Sequence, residues 1–271
     1  MKQWYSFALV FLSIASISVF VGGDALASLA WQKYRSPKIA ILLVRDDVEL
    51  TMSIGNYYFN GGAYDLETAG RAYRKAVSIN PKVLWGHYQL ARIYFVKGNY
   101  EQALEEINRE LEANPENLRS LYIRGLIYGY RNQVGLPAQA GDLELAENDF
   151  RRFTYWAPSE WAGYNDLAWI LSKEAKYQDA KDTVLLALSR TTDVERNPWL
   201  WNALGLAELN LGEYEAAKES FEKAQSAAAT LSREDWQKSY PGNSPNGAEA
   251  GLTAFRETIR SNLEKTNSFL Q

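Results

Sequence analysis

The chain contains no cysteine and a single histidine, His87, in 271 residues. Disulfides and a thiol nucleophile are therefore excluded, as are the common structural zinc sets, which draw on Cys and His together. Charge of one sign is scarce as well: 29 Lys and Arg against 33 Asp and Glu leave a net charge of −4. That balance gives no general electrostatic footprint for nucleic acid. A glycine-rich phosphate loop, a dinucleotide fingerprint and a nucleophile elbow are all missing. Carboxylates are plentiful, among them Asp46, Asp47, Glu105, Glu106, Glu144, Glu147 and Asp149. Most of them sit where helices would face water, and nothing singles out two of them as a pair across a cleft. The expectation is a protein without catalytic residues, metal ligands or cofactors.

What the chain does have is aromatics, 13% of all residues with nine Trp, which argues against disorder. It also repeats a phrase. Residues 84–117 carry Leu90, Ala91, Tyr94, Gly98, Tyr100, Ala103, Ile107 and Pro115; residues 198–231 carry Trp201, Leu204, Gly205, Gly212, Tyr214, Ala217, Phe221 and Ala224. A period of about 34 residues with a mid-unit turn is the mark of stacked helix–turn–helix units. Residues 161–194 keep the spacing with Leu167, Ala168, Tyr177, Ala180, Val184 and Ala187. Residues 118–160 carry Gly125, Tyr128, Ala146, Phe150 and Pro158, with an insertion around Gln133–Gly141 that predicts a lengthened inter-helix loop. A weaker first copy, 48–83, contains Gly55, Tyr58, Tyr64, Ala69, Tyr73, Ala76 and Pro81.

This pattern resembles the tetratricopeptide repeat (TPR) family over about two thirds of the chain. The resemblance implies an all-α fold, a right-handed α-α superhelix of about five repeats. Ala91 and Gly205 occupy the family's tight-crossing position on the first helix, and Ile107, Val184 and Phe221 its bulky plugs. Each second helix places its small and large apolar residues on one face, which a lone hairpin cannot hide, so neighbours stack. Residues 232–271 predict C-terminal capping helices: Ser232 and Asp235 resemble a capping box, and Leu252, Phe255, Ile259 and Leu263 form a stripe after the Pro/Gly-rich break at 241–247.

At the other end, Trp4 to Gly23 carries no charge, a run of about 20 residues that suits a membrane-crossing helix. Trp4 and Tyr5 at one edge, with Trp31 and Tyr34 beyond the other, fit interfacial rings. A cleaved signal peptide is the competing reading, with Ala25-Leu26-Ala27 as its cleavage motif; the length of the run favours a retained single-pass anchor. Lys33, Arg35 and Lys38 lean towards a cytoplasmic solenoid, whereas one N-terminal span before a large domain leans the other way; the extracytoplasmic side is the expectation. The chain thus divides into an anchor (1–30), a connector (31–47), repeats at 48–83, 84–117, 118–160, 161–194 and 198–231, and a cap at 232–271.

In the family the first helices line a concave groove. Carried onto this chain, the groove positions include Trp85, Tyr88, Arg92 and Phe95 in the second repeat and Arg119, Tyr122 and Tyr130 in the third. The fourth contributes Asn165, Trp169 and Lys173, and the fifth Trp199 and Asn202. Aromatic and Arg side chains supply much of the energy where proteins meet, and Asn amides can hold an extended backbone. The expected function is a membrane-tethered scaffold that binds a peptide or protein, with Arg92 and Arg119 anchoring an extended or acidic segment. Alternatives are a structural envelope protein that self-associates into a homo-oligomer, a glycan-binding accessory that stacks sugars on the aromatic row, an enzymatic accessory, and a groove covered by the molecule's own segments. Arginines 119, 124, 131, 151 and 152 concentrate in one repeat, which reads either as an ion-paired face or as a patch for an acidic partner. His87 reads as a packed or surface imidazole.

Overall fold

A computed structural model describes residues 22–60, 63–131, 141–240 and 243–271. Among these residues the regular structure is entirely helical. Helix α1 covers residues 22–32, followed by α2 (Pro37–Leu43), α3 (Val48–Asn60), α4 (Leu66–Ile79), α5 (Gly86–Val96) and α6 (Tyr100–Ala113). Then come α7 (Leu118–Arg131), α8 (Asp142–Trp156), α9 (Trp161–Lys173), α10 (Tyr177–Arg190), α11 (Pro198–Leu211), α12 (Tyr214–Thr230), α13 (Arg233–Ser239) and α14 (Ala248–Phe269). The chain forms two compact units, one reaching Ile93 and including Glu112–Asn114, the other comprising Tyr94–Leu111 and Pro115–Gln271.

In the first unit α3 and α4 form a hairpin, and α2 packs on α4. Helices α2 and α3 are separate, with an extended Val44 ending the first. Asp65 caps α4, accepting hydrogen bonds from the Glu67 and Thr68 amides at 3.0 and 3.1 Å, donors that a helix start would otherwise leave unpaired. Gly55 lets the hairpin close: a Cβ there would lie 2.4 Å from Cε1 of Tyr73, a ring with no exposed surface.

The anchor–connector boundary expected at residue 30 falls inside α1. Ala27, Ala30 and Trp31 of this helix join Ala40, Val44, Leu50, Ile54 and Ala72 in one core cluster. Trp31, expected as an interfacial ring, is 7% exposed and packs against Tyr57 and Tyr58 at 5.4 and 6.0 Å. The opposing apolar surface of α3 claims the indole, a partner invisible to a local reading. Asp24 accepts from the Arg45 amide at 2.7 Å and the Asp46 amide at 3.3 Å, tying α1 to the turn before α3. Among the described residues no helix is long and apolar enough to cross a membrane. The expected span at 4–23 lies outside the described residues except for Gly22 and Gly23, and so does most of the insertion at Gln133–Gly141.

In the second unit the helices stack in sequence order, α7 on α8, α8 on α9, α9 on α10, α10 on α11 and α11 on α12. The glycine–aromatic pairing recurs here: a Cβ on Gly125 would lie 2.9 Å from Phe150, and one on Gly205 2.8 Å from Phe221. Where the plug is the smaller Val184, the first-helix position is Ala168, and both are buried. Helix α14 packs on α12, with Ile259 against Ala224 and Ala228. Arg256 reaches the C-terminal end of α12, donating from Nε to the Ala228 carbonyl and from Nη2 to the Leu231 carbonyl, both at 2.9 Å. A cation there complements the unpaired carbonyls of the helix end. Ser232 caps α13 by accepting from the Asp235 amide at 3.0 Å.

Candidate functional site

The first helices α7, α9 and α11 of the second unit, together with residues 95–100, surround a cavity of about 520 Å³, within the ~300–1,000 Å³ usual for ligand pockets. Six of the twelve groove residues expected from sequence line it: Phe95, Tyr130, Asn165, Trp169, Trp199 and Asn202. Tyr100, Leu126, Ser172 and Leu206 add to the wall. Trp169 can approach α7 closely because residue 129 is glycine; a Cβ there would sit 2.5 Å from the indole. Tyr130 meets Phe95 edge-on at 5.4 Å and Trp169 at 5.2 Å, and is itself 38% exposed. Lys173 does not line the cavity but holds its ammonium 5.2 Å from the Trp169 ring centroid.

The remaining wall comes from the C-terminal segment: Trp236, Tyr240, Asn243 and Phe255. Trp199 is sandwiched between Trp161 and Phe255, stacked at 5.0 and 5.5 Å, so its faces are taken by the protein itself. The molecule thus covers part of its own groove at the α11 end. Nothing in the repeat spacing marks Tyr240 or Phe255; the one sequence signal was the stripe containing Phe255.

At the base of the cavity lies Asp166, 4% exposed. Tyr122 donates its hydroxyl to Oδ2 at 2.6 Å, and Tyr240 donates to Oδ1 at 3.0 Å. The Asn165 amide donates to Oδ1 of Asp166 at 3.1 Å and to the Tyr240 hydroxyl at 2.7 Å. Burial raises the Asp166 pKa to about 6, against the opposing pull of these three donors. Burial beside this carboxylate also drives both tyrosine hydroxyls well above their usual range. Asp166 forms no ion pair among the described residues. Tyr122, expected as a groove contact, is buried and holds Asp166 in place.

Other expected residues lie elsewhere. Arg119 is exposed and does not line the cavity. In the first unit Trp85, with a left-handed φ of 72°, packs edge-on against Tyr88 at 5.0 Å. Arg92 spreads its guanidinium over Phe59 at 4.5 Å and Tyr88 at 5.7 Å while donating to Asn60 at 2.9 Å and Gln89 at 2.8 Å. Much of the arginine concentration in the third repeat is ion-paired: Arg124 grips Asp149 through two bonds at 2.7 and 2.8 Å, Arg131 pairs with Asp142 and Glu101, and Arg151 with Glu147. His87 is buried. No group of three or more His, Cys, Asp or Glu side chains suited to a metal ion occurs among the described residues.

A stack of helical hairpins with small residues at each crossing and a lined inner surface defines a helical-repeat protein. Models of the tetratricopeptide repeat match residues 62–123 and 200–230, and those segments carry such repeats. A TPR repeat-containing protein of Methanocaldococcus jannaschii, MJ1428, is 35% identical over 82 residues, covering 29% of this chain; the match spans only 14% of that relative's length. Among solved structures, MamA (41-end) from Desulfovibrio magneticus RS-1 superposes with a TM-score of 0.58 at 16% identity, covering 69% of this chain and 98% of that one. YrrB, described as a TPR protein with an unusual peptide-binding site, gives 0.55 at 18% identity over 72% of this chain and 93% of its own. PilF of Pseudomonas aeruginosa gives 0.56 at 16% identity over 81% and 88%. At these identities the likeness is one of fold: an all-α solenoid of tetratricopeptide type.

Proposed function

We propose that the chain is a membrane-tethered tetratricopeptide-repeat scaffold that captures a peptide or protein segment in its groove and performs no chemical step. The observation that carries this reading is the aromatic cavity, where Phe95, Tyr130 and Trp169 supply apolar faces and Asn202 supplies an amide. Aromatic anchors beside a few polar groups are what peptide recognition uses. The peptide-binding description of YrrB, a protein of similar fold, agrees with it. Affinity capture with the full chain from native membranes tests the reading. Recovery of a partner that falls at least about tenfold with Trp169→Ala supports it, and unchanged recovery with both Trp169→Ala and Tyr130→Ala removes the groove.

The tether rests on the uncharged run from Trp4 to Gly23. The structure of the following residues favours retention over cleavage, since removal up to Ala27 would delete the Asp24 contacts to the Arg45–Asp47 turn and a fully buried core residue. The full chain is expected to resist alkaline extraction from membranes, and deletion of residues 1–21 to release it. Protection of the repeats from protease added on the cytoplasmic side supports an extracytoplasmic placement, and cleavage there reverses it.

A further inference from the structure

Asp166 is an anomaly that a plain peptide groove does not explain. A carboxylate removed from water is costly unless a cation compensates it, yet its three donors are two tyrosine hydroxyls and one amide, all neutral. An ionised carboxylate offers about four acceptor sites, so these donors leave room for another. Asp166 also faces the cavity, and no Lys or Arg contributes to the lining. Phe95, Tyr130 and Trp169 line the same cavity, rings whose faces attract cations through their quadrupoles. Lys173 already places its ammonium against one of these rings from outside the lining. One cavity thus joins aromatic faces to a buried carboxylate.

The geometry points to a subsite for a positively charged side chain: the cavity receives a lysine or arginine of the bound segment, Asp166 balances its charge, and Tyr130 and Trp169 flank its stem and head. This rests on the groove reading above and names the partner's chemistry. It reverses the acidic segment expected from the arginines of the sequence, because Arg119 lies off the cavity and Arg92 belongs to the other unit. An acidic side chain would meet Asp166 as a like charge. A neutral one would leave the carboxylate uncompensated.

The test uses the full chain in detergent micelles, with tryptophan fluorescence or calorimetry as readout. The probes are five-residue alanine peptides whose central residue is lysine, arginine, norleucine or glutamate, together with maltotriose. At pH 7.5 the lysine and arginine peptides are expected to bind at least about tenfold tighter than the norleucine peptide, a ratio equal to about 1.4 kcal/mol. That preference should vanish in Asp166→Asn and persist in Arg119→Ala, a control on an exposed residue off the cavity. Equal binding of lysine and norleucine peptides overturns the inference in favour of a purely apolar pocket. Tighter binding of the glutamate peptide, binding of maltotriose alone, or binding of no probe overturns it as well. Should Asp166→Asn fail to fold, the lysine-to-norleucine ratio of the unaltered chain decides, with Tyr130→Ala expected to weaken lysine binding. A captured partner that needs Trp169 but binds equally well after its basic residues are replaced by alanine sinks this inference and leaves the groove standing.

Discussion

The two units each hold a charged side chain among neutral partners, with different consequences. In the first, Arg92 is surrounded by the rings of Phe59 and Tyr88 and the amide oxygens of Asn60 and Gln89. In the second, Asp166 is surrounded by two tyrosine hydroxyls and an amide. A guanidinium spreads its charge and stacks on rings, so dipoles and π-faces can stand in for a counter-ion. A carboxylate concentrates its charge and answers burial by holding a proton to higher pH. The same local strategy therefore leaves a titrating anion in the second unit. Beneath this difference the two share one crossing geometry, a first-helix glycine under a buried aromatic ring.

The largest effects test what is shared. Tyr73→Ala and Phe150→Ala each remove a buried ring from a glycine crossing and are each expected to cost about 3–5 kcal/mol in urea unfolding. A loss below about 1 kcal/mol at either site would show that the two crossings are not equivalent supports.

Next comes the difference in titration. The Asp166 pKa lies near 6 when folded against a usual 3.8. Between those values the folded state binds the extra proton, so this group lowers stability as pH rises through the window. The penalty is complete above pH ~6 and reaches at most about 3 kcal/mol. Asp166→Asn should flatten the stability profile between about pH 4 and 6. An unchanged slope in Asp166→Asn would break the contrast between the units.

A smaller effect probes the crossing itself. Gly205→Ala brings a Cβ to 2.8 Å from Phe221, an overpacking expected to cost about 1–3 kcal/mol. Adding Phe221→Val recreates the pairing of Ala168 with Val184 and should recover part of the loss of the glycine variant. The smallest is Tyr73→Phe. It deletes the 2.8 Å hydrogen bond from the Tyr73 hydroxyl to Asn56 and is expected to cost about 1 kcal/mol, with no counterpart at Phe150.

Much of the fold was legible because a hairpin advertises itself locally. Gly125 and Phe150, or Gly205 and Phe221, lie within one repeat, and their sizes must match wherever the two helices cross. Asp65, Ser232 and Asn197 likewise cap the helices that follow them, within three residues of the amides they accept from. The site was only half legible. Repeat offsets place Phe95, Tyr130, Asn165, Trp169, Trp199 and Asn202 on the first helices, and these do line one cavity. The same offsets also chose Tyr122, which turned inward to Asp166, and Arg119, which stands clear of the cavity.

Sequence alone, then, determined where hairpins form and which residue sizes meet at their crossings, because both follow from periodicity and contact within a single repeat. Only the tertiary structure decided that Tyr240, 74 residues from Asp166, bonds to it, that Phe255 covers Trp199, and that Trp31 belongs to a core. Those outcomes depend on where distant segments come to rest. A charge or ring takes its character from what finally surrounds it, and local spacing carries no record of those surroundings.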